Sequence, residues 1–276
     1  MHILVPLDGS SFSDAAGEVA LTLAEAVRAH GTDARITALH VVTVRVASGN
    51  LLRDLPGRLG FEPAVVSAEV ASEHVADGQR ICQAFEALAA ERGVPVTNDV
   101  RAGSVPDVIV DAAADADLVV MGMRGETESK FPGQGGRLAA LLPSRIDAPL
   151  LLVPPQTTSI HGVAIGYDGS TGARHAVRAL RMVAAPCETP VHGIYVGDAG
   201  EAGLLLDELD EKMAPLSVVR HVVTGSPHEA IVSTAREAGA DVVALGFTGQ
   251  SKLKDFAFGT LTERALLEGS MAVLIA

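Results

Sequence analysis

The 276-residue chain has no tryptophan, two tyrosines and seven phenylalanines. So small an aromatic set provides no stacking platform for single-stranded nucleic acid. Its two cysteines, Cys82 and Cys187, match no metal-ligand spacing and read as reduced residues. Positive charge is short as well: 21 Lys and Arg against 34 Asp and Glu give a formal charge of −13. A protein of this sign repels DNA backbones and anionic membranes unless it carries a basic patch. The nearest approach to one is the pair Lys252 and Lys254. The longest apolar runs are strand-sized, and the start MHILVPLDGS lacks the build of a signal peptide. These absences predict a cytoplasmic protein with no nucleic-acid and no membrane partner. A mononucleotide stays open, because backbone N–H groups hold phosphate without net positive charge.

What the chain does have is written twice. ILVPLDGS at 3–10 and VAIGYDGS at 163–170 share an apolar run followed by Asp-Gly-Ser and an Ala-rich helical stretch. ADLVVMGMRG at 116–125 and ADVVALGFTG at 240–249 are closer still. Gly122, Gly125 and Gly135 return 124 positions later as Gly246, Gly249 and Gly259. Two homologous units follow, 1–154 and 160–276, with LVPPQTTS at 152–159 as the linker.

Within each unit, apolar runs alternate with helix-length segments, which predicts parallel sheets covered on both faces. Strands are expected near 2–7, 35–43, 95–101, 117–122 and 149–153, and again near 161–167, 189–196, 216–223, 241–246 and 271–275. Helices are expected near 11–30, 63–92, 105–115 and 136–146, then 171–185, 200–213, 227–238 and 260–268. Ser226 and Glu229, like Ser104 and Asp107, have the spacing of hydroxyl-capped helix starts. The first unit carries 36 more residues, mostly between 44 and 102, as a longer loop and a longer second helix. That loop reads either as a lid or as tolerated surface.

The stretch GFTGQSKLKDFAFGT, 246–260, follows a strand and opens a helix. Its glycines let backbone approach a ligand, and a helix start at Gly259-Thr260 favours phosphate. A capping box of Thr260 with Glu263 accounts for the same residues without a ligand. The first-unit copy has Gly136 where Thr260 stands, and Arg137 could compensate. Asp8 and Asp168 end the first strands, where each either meets an adenine or ribose or serves the following turn. Glu73 and His74, and the carboxylates at 207–211, read as solvated helix faces.

These residues resemble the universal stress protein family, whose nucleotide-binding members carry G-x2-G-x9-G-[S/T] after the fourth strand and Asp after the first. The second unit matches fully and the first all but the last position. The resemblance implies two tandem α/β units, each an open, twisted parallel five-stranded sheet of order 3-2-1-4-5 with helices on both faces. It also implies ATP, with or without Mg²⁺, held mainly by the second unit. There Gly166, Tyr167, Asp168, Val196, Gly246, Gly249, Gly259, Thr260 and Leu261 would form the site. In the first unit the counterparts would be Pro6, Asp8, Val41, Gly122, Gly125 and Gly135. Pairing of the fifth strands within the chain would make an internal pseudo-dimer, with a homodimer and a regulatory protein as further possible partners. The expected role is an ATP-binding stress-response protein with slow or no hydrolysis. A nucleotide-free interaction scaffold and a slow Mg-dependent hydrolase are the alternatives; no catalytic residue or metal ligand is assigned.

Overall fold

In this computed structural model the described residues are 1–43, 68–125, 137–246 and 271–276. Ten strands form one continuous sheet. The first half supplies β1 (His2–Pro6), β2 (Arg35–Val42), β3 (Val96–Ala102), β4 (Leu118–Gly122) and β5 (Leu150–Val153). The second supplies β6 (Val163–Gly166), β7 (Val191–Val196), β8 (Val218–Val223), β9 (Val242–Leu245) and β10 (Ala272–Ile275). Their order is β3-β2-β1-β4-β5-β10-β9-β6-β7-β8, which reads 3-2-1-4-5 from either edge. Pairing is parallel throughout each half.

The halves meet at β5 and β10, which pair antiparallel with Leu152 opposite Val273 and Leu151 opposite Leu274. The two five-stranded sheets expected from sequence are therefore joined edge to edge. Every residue of β4, β5, β9 and β10 is buried, as strands covered on both faces require. The outer strands β3 and β8 are half-exposed instead. Arg101 on β3 bonds Asp99 and Asp111, and Arg220 on β8 pairs with Asp207 and Asp210, so both free edges carry charge.

Helices cover the two faces unequally. One face carries α1 (Ser11–Ala29), α2 (Ala68–Glu91), α5 (Thr171–Cys187) and α6 (Ala199–Met213) over a core that spans both halves. The other carries α3 (Val105–Ala113), the single turn α4 (Arg137–Leu141) and α7 (Pro227–Glu237). Helices α1 and α5 pack across the β5–β10 junction, where a ring nitrogen of His30 lies 3.1 Å from the Pro186 carbonyl. Ser10 and Ser170 cap α1 and α5 by accepting from the N–H groups of Ser13 and Ala173. Ser104 and Ser226 stand at the N-cap positions of α3 and α7 but make no side-chain cap bond, contrary to expectation. Ser104 bonds the Asp107 carboxyl instead; Arg145 foremost, and Ser104 second, hold that carboxyl below the usual carboxylate range. Among the described residues no helix is long and apolar enough to cross a membrane. The longer loop expected at SGNLLRDLPGRLGFEP, 48–63, and the helix expected at 260–268 lie outside the described residues.

Candidate functional site

In each half the first and fourth strands lie side by side, and in the first half α1 and α4, which follow them, lie on opposite faces of the sheet. This is the switch point at which open parallel sheets form a crevice. The ladder continues one residue past the first strand: Leu7 donates to the Leu39 carbonyl at 2.8 Å, and Tyr167 to the Ile194 carbonyl at 2.9 Å. The Asp-Gly-Ser turns follow. Asp8 Oδ1 accepts from the Ser10 N–H at 3.0 Å and its hydroxyl at 2.6 Å, while Asp168 Oδ1 accepts from the Ser170 N–H at 2.9 Å. Gly9 and Gly169 take φ of 77° and 71°, a left-handed conformation that makes glycine the favoured residue between them.

The turn therefore occupies one oxygen of each carboxylate. The other oxygen of Asp8 faces the crevice: a Cβ placed on Gly125 would sit 3.2 Å from Asp8 Oδ2. The two sequence readings of Asp8, turn and ligand contact, are thus compatible. Burial, and Asp8 itself, push the Asp14 carboxyl in the first turn of α1 above its ordinary range.

The glycines ending the fourth strands have a packing role. A Cβ on Gly122 would lie 2.7 Å from Phe12 Cβ and 2.8 Å from its carbonyl carbon. On Gly246 it would lie 2.1 Å from the Gly172 carbonyl carbon. Each admits the first turn of the helix that follows the Asp-Gly-Ser turn. Gly166 likewise makes room for Ile231 of α7, whose Cδ1 would lie 2.5 Å from an added Cβ.

Around these turns the structure brings the expected residues together. In the first half Pro6, Asp8, Val41, Gly122 and Gly125 line a cavity of about 960 Å³. In the second Gly166, Tyr167, Asp168, Val196 and Gly246 line one of about 230 Å³. Gly135, Gly249, Gly259, Thr260 and Leu261 lie outside the described residues. Tyr167 turns its ring toward Glu208 and Arg174 on α6 and α5. Burial first, and Glu208 second, push its hydroxyl up to about 12. Arg174 and Tyr167 hold Glu208 at about 2, with Arg174 Nε 2.8 Å from Glu208 Oε1. Glu208 is thus a specific ion-pair partner, where the sequence suggested only a solvated face.

The wall contributed by α2 was missed from sequence. His74, Asp77, Arg80 and Ile81 line the first cavity beside His40 and Arg124. Their three- and four-residue spacing marks one helix face, a signal readable in the sequence. His40 Nδ1–H donates to the Leu7 carbonyl at 2.8 Å, and Gly78 lets α2 approach its ring. In the second half Tyr195 holds the corresponding place and donates to Glu201 at 3.0 Å. Glu201 foremost, then burial, then Asp198 and Asp168 push the Tyr195 hydroxyl upward. Among the described residues no group of three or more His, Cys, Asp or Glu is arranged to hold a metal ion.

Comparison with known proteins fits this geometry. The model of the universal stress protein family matches residues 1–147 and 199–276. A universal stress protein of Synechocystis is 26% identical over 179 residues, 63% of this chain and 62% of that protein. One from Methanocaldococcus jannaschii is 35% identical over 54 residues, 20% of this chain and 33% of that protein. The chain thus spans less than two thirds of these relatives' own lengths. Among solved structures, a universal stress protein from Archaeoglobus fulgidus superposes with a TM-score of 0.74 at 18% identity, covering 100% of this chain and 95% of that one. One from Pseudomonas aeruginosa gives 0.59 at 14% identity, covering 99% and 92%. With the family model matching most of its length, the chain belongs to the universal stress protein family.

Proposed function

We propose that this chain binds an adenine nucleotide, ATP in the first instance, and serves as a regulatory protein of the stress response with slow or no hydrolysis. The observation that carries the reading is the crevice repeated in both halves. In each, the Asp after the first strand and the glycine ending the fourth line one cavity: Asp8 with Gly122, and Asp168 with Gly246. At Gly125 an added Cβ would come within 3.2 Å of Asp8 Oδ2, so glycine there keeps the backbone close to the carboxylate without crowding it. A cavity of about 960 Å³ also falls within the usual range for small-molecule sites.

In this reading Asp8 and Val41, or Asp168 and Val196, meet the adenine or ribose. The phosphates run toward the glycine segments after β4 and β9. Thr260 and its neighbours complete the second-half motif, as the family resemblance implies, and Mg²⁺ enters as the nucleotide's counter-ion. Nucleotide extracted from freshly purified protein and identified by mass spectrometry tests this directly, with titration calorimetry against ATP. Bound adenine nucleotide and saturable binding are expected. A chain that neither carries nor binds ATP would instead be an interaction scaffold, and rapid Mg-dependent phosphate release would make it a hydrolase.

A further inference from the structure

Two imidazoles meet on the outer strands of the second half. His192 on β7 lies opposite Val219, and His221 on β8 lies opposite Ile194, so the two stand diagonally across the ladder. Counting alternate residues from Ile194 and Val223, both point to the face that carries α7. His192 Nδ1 is 3.1 Å from His221 Nε2, with ring centroids 5.3 Å apart and planes tilted by 41°. Both residues are half-buried, and Val219 beside them on the edge strand is 48% exposed, so water reaches the flank of the pair. The first half has no such pair at these positions. By register, Thr37 and Asp99 stand where His192 and His221 do. Thr37 Oγ1 lies 2.8 Å from His2 Nε2, and Asp99 pairs with Arg101.

A hydrogen bond between the rings accounts for this contact by itself, but the same spacing suits a shared cation. Metal–nitrogen bonds of about 2.0–2.1 Å to two nitrogens 3.1 Å apart meet at about 95–100°, between the square-planar and tetrahedral angles. Paired strands already hold both side chains in contact, so binding an ion adds little ordering cost. Burial first, and His221 second, lower the pKa of His192, which keeps its imidazole in the neutral form that a metal ion takes. The ring that donates shifts its proton to its far nitrogen through solvent, so both rings stay neutral and no proton is lost. Two protein ligands leave the remaining positions to water, in keeping with the lack of any larger His, Cys, Asp or Glu grouping among the described residues.

We propose that His192 and His221 form a two-imidazole site for a divalent transition-metal ion, Cu²⁺ before Ni²⁺ and Zn²⁺, with little affinity for the oxygen-seeking Mg²⁺ and Ca²⁺. The site is separate from the crevice: His192 lies four residues before Val196, about 13 Å along β7. A bound ion bridges β7 to the edge strand β8 and stabilises the outer part of the second half by mass action.

The test is calorimetry with Ni²⁺, Zn²⁺ and Mg²⁺ on the metal-stripped full chain without nucleotide, on His192→Gln and on His221→Gln, with NMR of the histidine rings in the wild type. Ni²⁺ is expected to broaden the His192 and His221 ring signals together, and Mg²⁺ to leave them unchanged. Either variant should lose one Ni²⁺ site or weaken it at least about tenfold, since even an outer partner of a metal ligand is worth that much. Ni²⁺ should also raise the melting temperature of the wild type more than that of either variant. If Ni²⁺ reaches other histidines and leaves these two rings sharp, the pair is hydrogen-bonded only and the inference fails. The wild-type spectrum decides this without any variant having to fold. Equal Ni²⁺ binding in wild type and both variants, or equal binding of Mg²⁺ and Ni²⁺, overturns it as well.

Discussion

Gly246, at the end of β9, lies against the backbone of Gly172 in the first turn of α5, so closely that a Cβ on Gly246 would fall 2.1 Å from the Gly172 carbonyl carbon. Neither partner has a flexible side chain that could yield, so Gly246→Ala must displace the helix or the strand. We expect it to cost at least about 1–3 kcal/mol. Gly122→Ala, facing the backbone and Cβ of Phe12, is expected to behave similarly. Urea unfolding checks both, and unchanged midpoints would show that the strand end tolerates a side chain.

The two oxygens of Asp8 can be separated by substitution. Asp8→Asn keeps an Oδ1 acceptor for Ser10 and so preserves the turn, yet places an amide or neutral oxygen before Gly125. Its unfolding free energy is expected to stay within about 0.5 kcal/mol of wild type while ATP affinity falls. Asp8→Ala loses the turn as well and costs about 1 kcal/mol. Parallel calorimetry and denaturation measure the two effects. Equal ATP affinity in wild type and Asp8→Asn would confine Asp8 to its turn.

Much of this was readable in sequence because the halves check one another. Apolar runs such as LLLV and AVLI fix strands buried on both faces, and the doubled Asp-Gly-Ser sets the register. The pairing of β5 with β10 followed from the family resemblance rather than from those runs. Gly246 was expected to let backbone approach a ligand, and the structure sets it against the helix start at Gly172 instead; both situations exclude a Cβ, so the sequence alone does not separate them. Arg80 was invisible for another reason: an exposed arginine at helical spacing from an aspartate looks like any solvated pair until the cavity beside it is seen. Ser226 shows the opposite failure, an apt capping residue whose side chain makes no cap bond.

The junction between halves should outlast the linker. Leu150, Leu151 and Leu152 pair with residues of β10 that are also buried, and α1 packs on α5 across the same junction. Gln156 and Thr158, by contrast, are exposed. A protease site inserted at Thr158 and cleaved under native conditions should leave two fragments that co-elute in size exclusion at the mass of the whole chain. Separate elution at micromolar concentration would mean that the covalent link, not the strand pairing, holds the halves together.

Acid should weaken the outer part of the second half before carboxylates titrate. His192 on β7 and His221 on β8 approach through Nδ1 and Nε2 at 3.1 Å, which requires one ring to donate and the other to accept. Burial first, and His221 second, lower the pKa of His192 below its ordinary value. The unfolded chain therefore takes up a proton at higher pH than the native one. Stability is fully present above the free histidine value of about 6.5 and declines as pH falls from there toward the depressed native value. His192→Gln removes the titrating group, so thermal melts between about pH 7.5 and 5.5 should fall less steeply in the variant than in wild type. Parallel slopes in the two proteins would exclude this pair as the source of acid sensitivity.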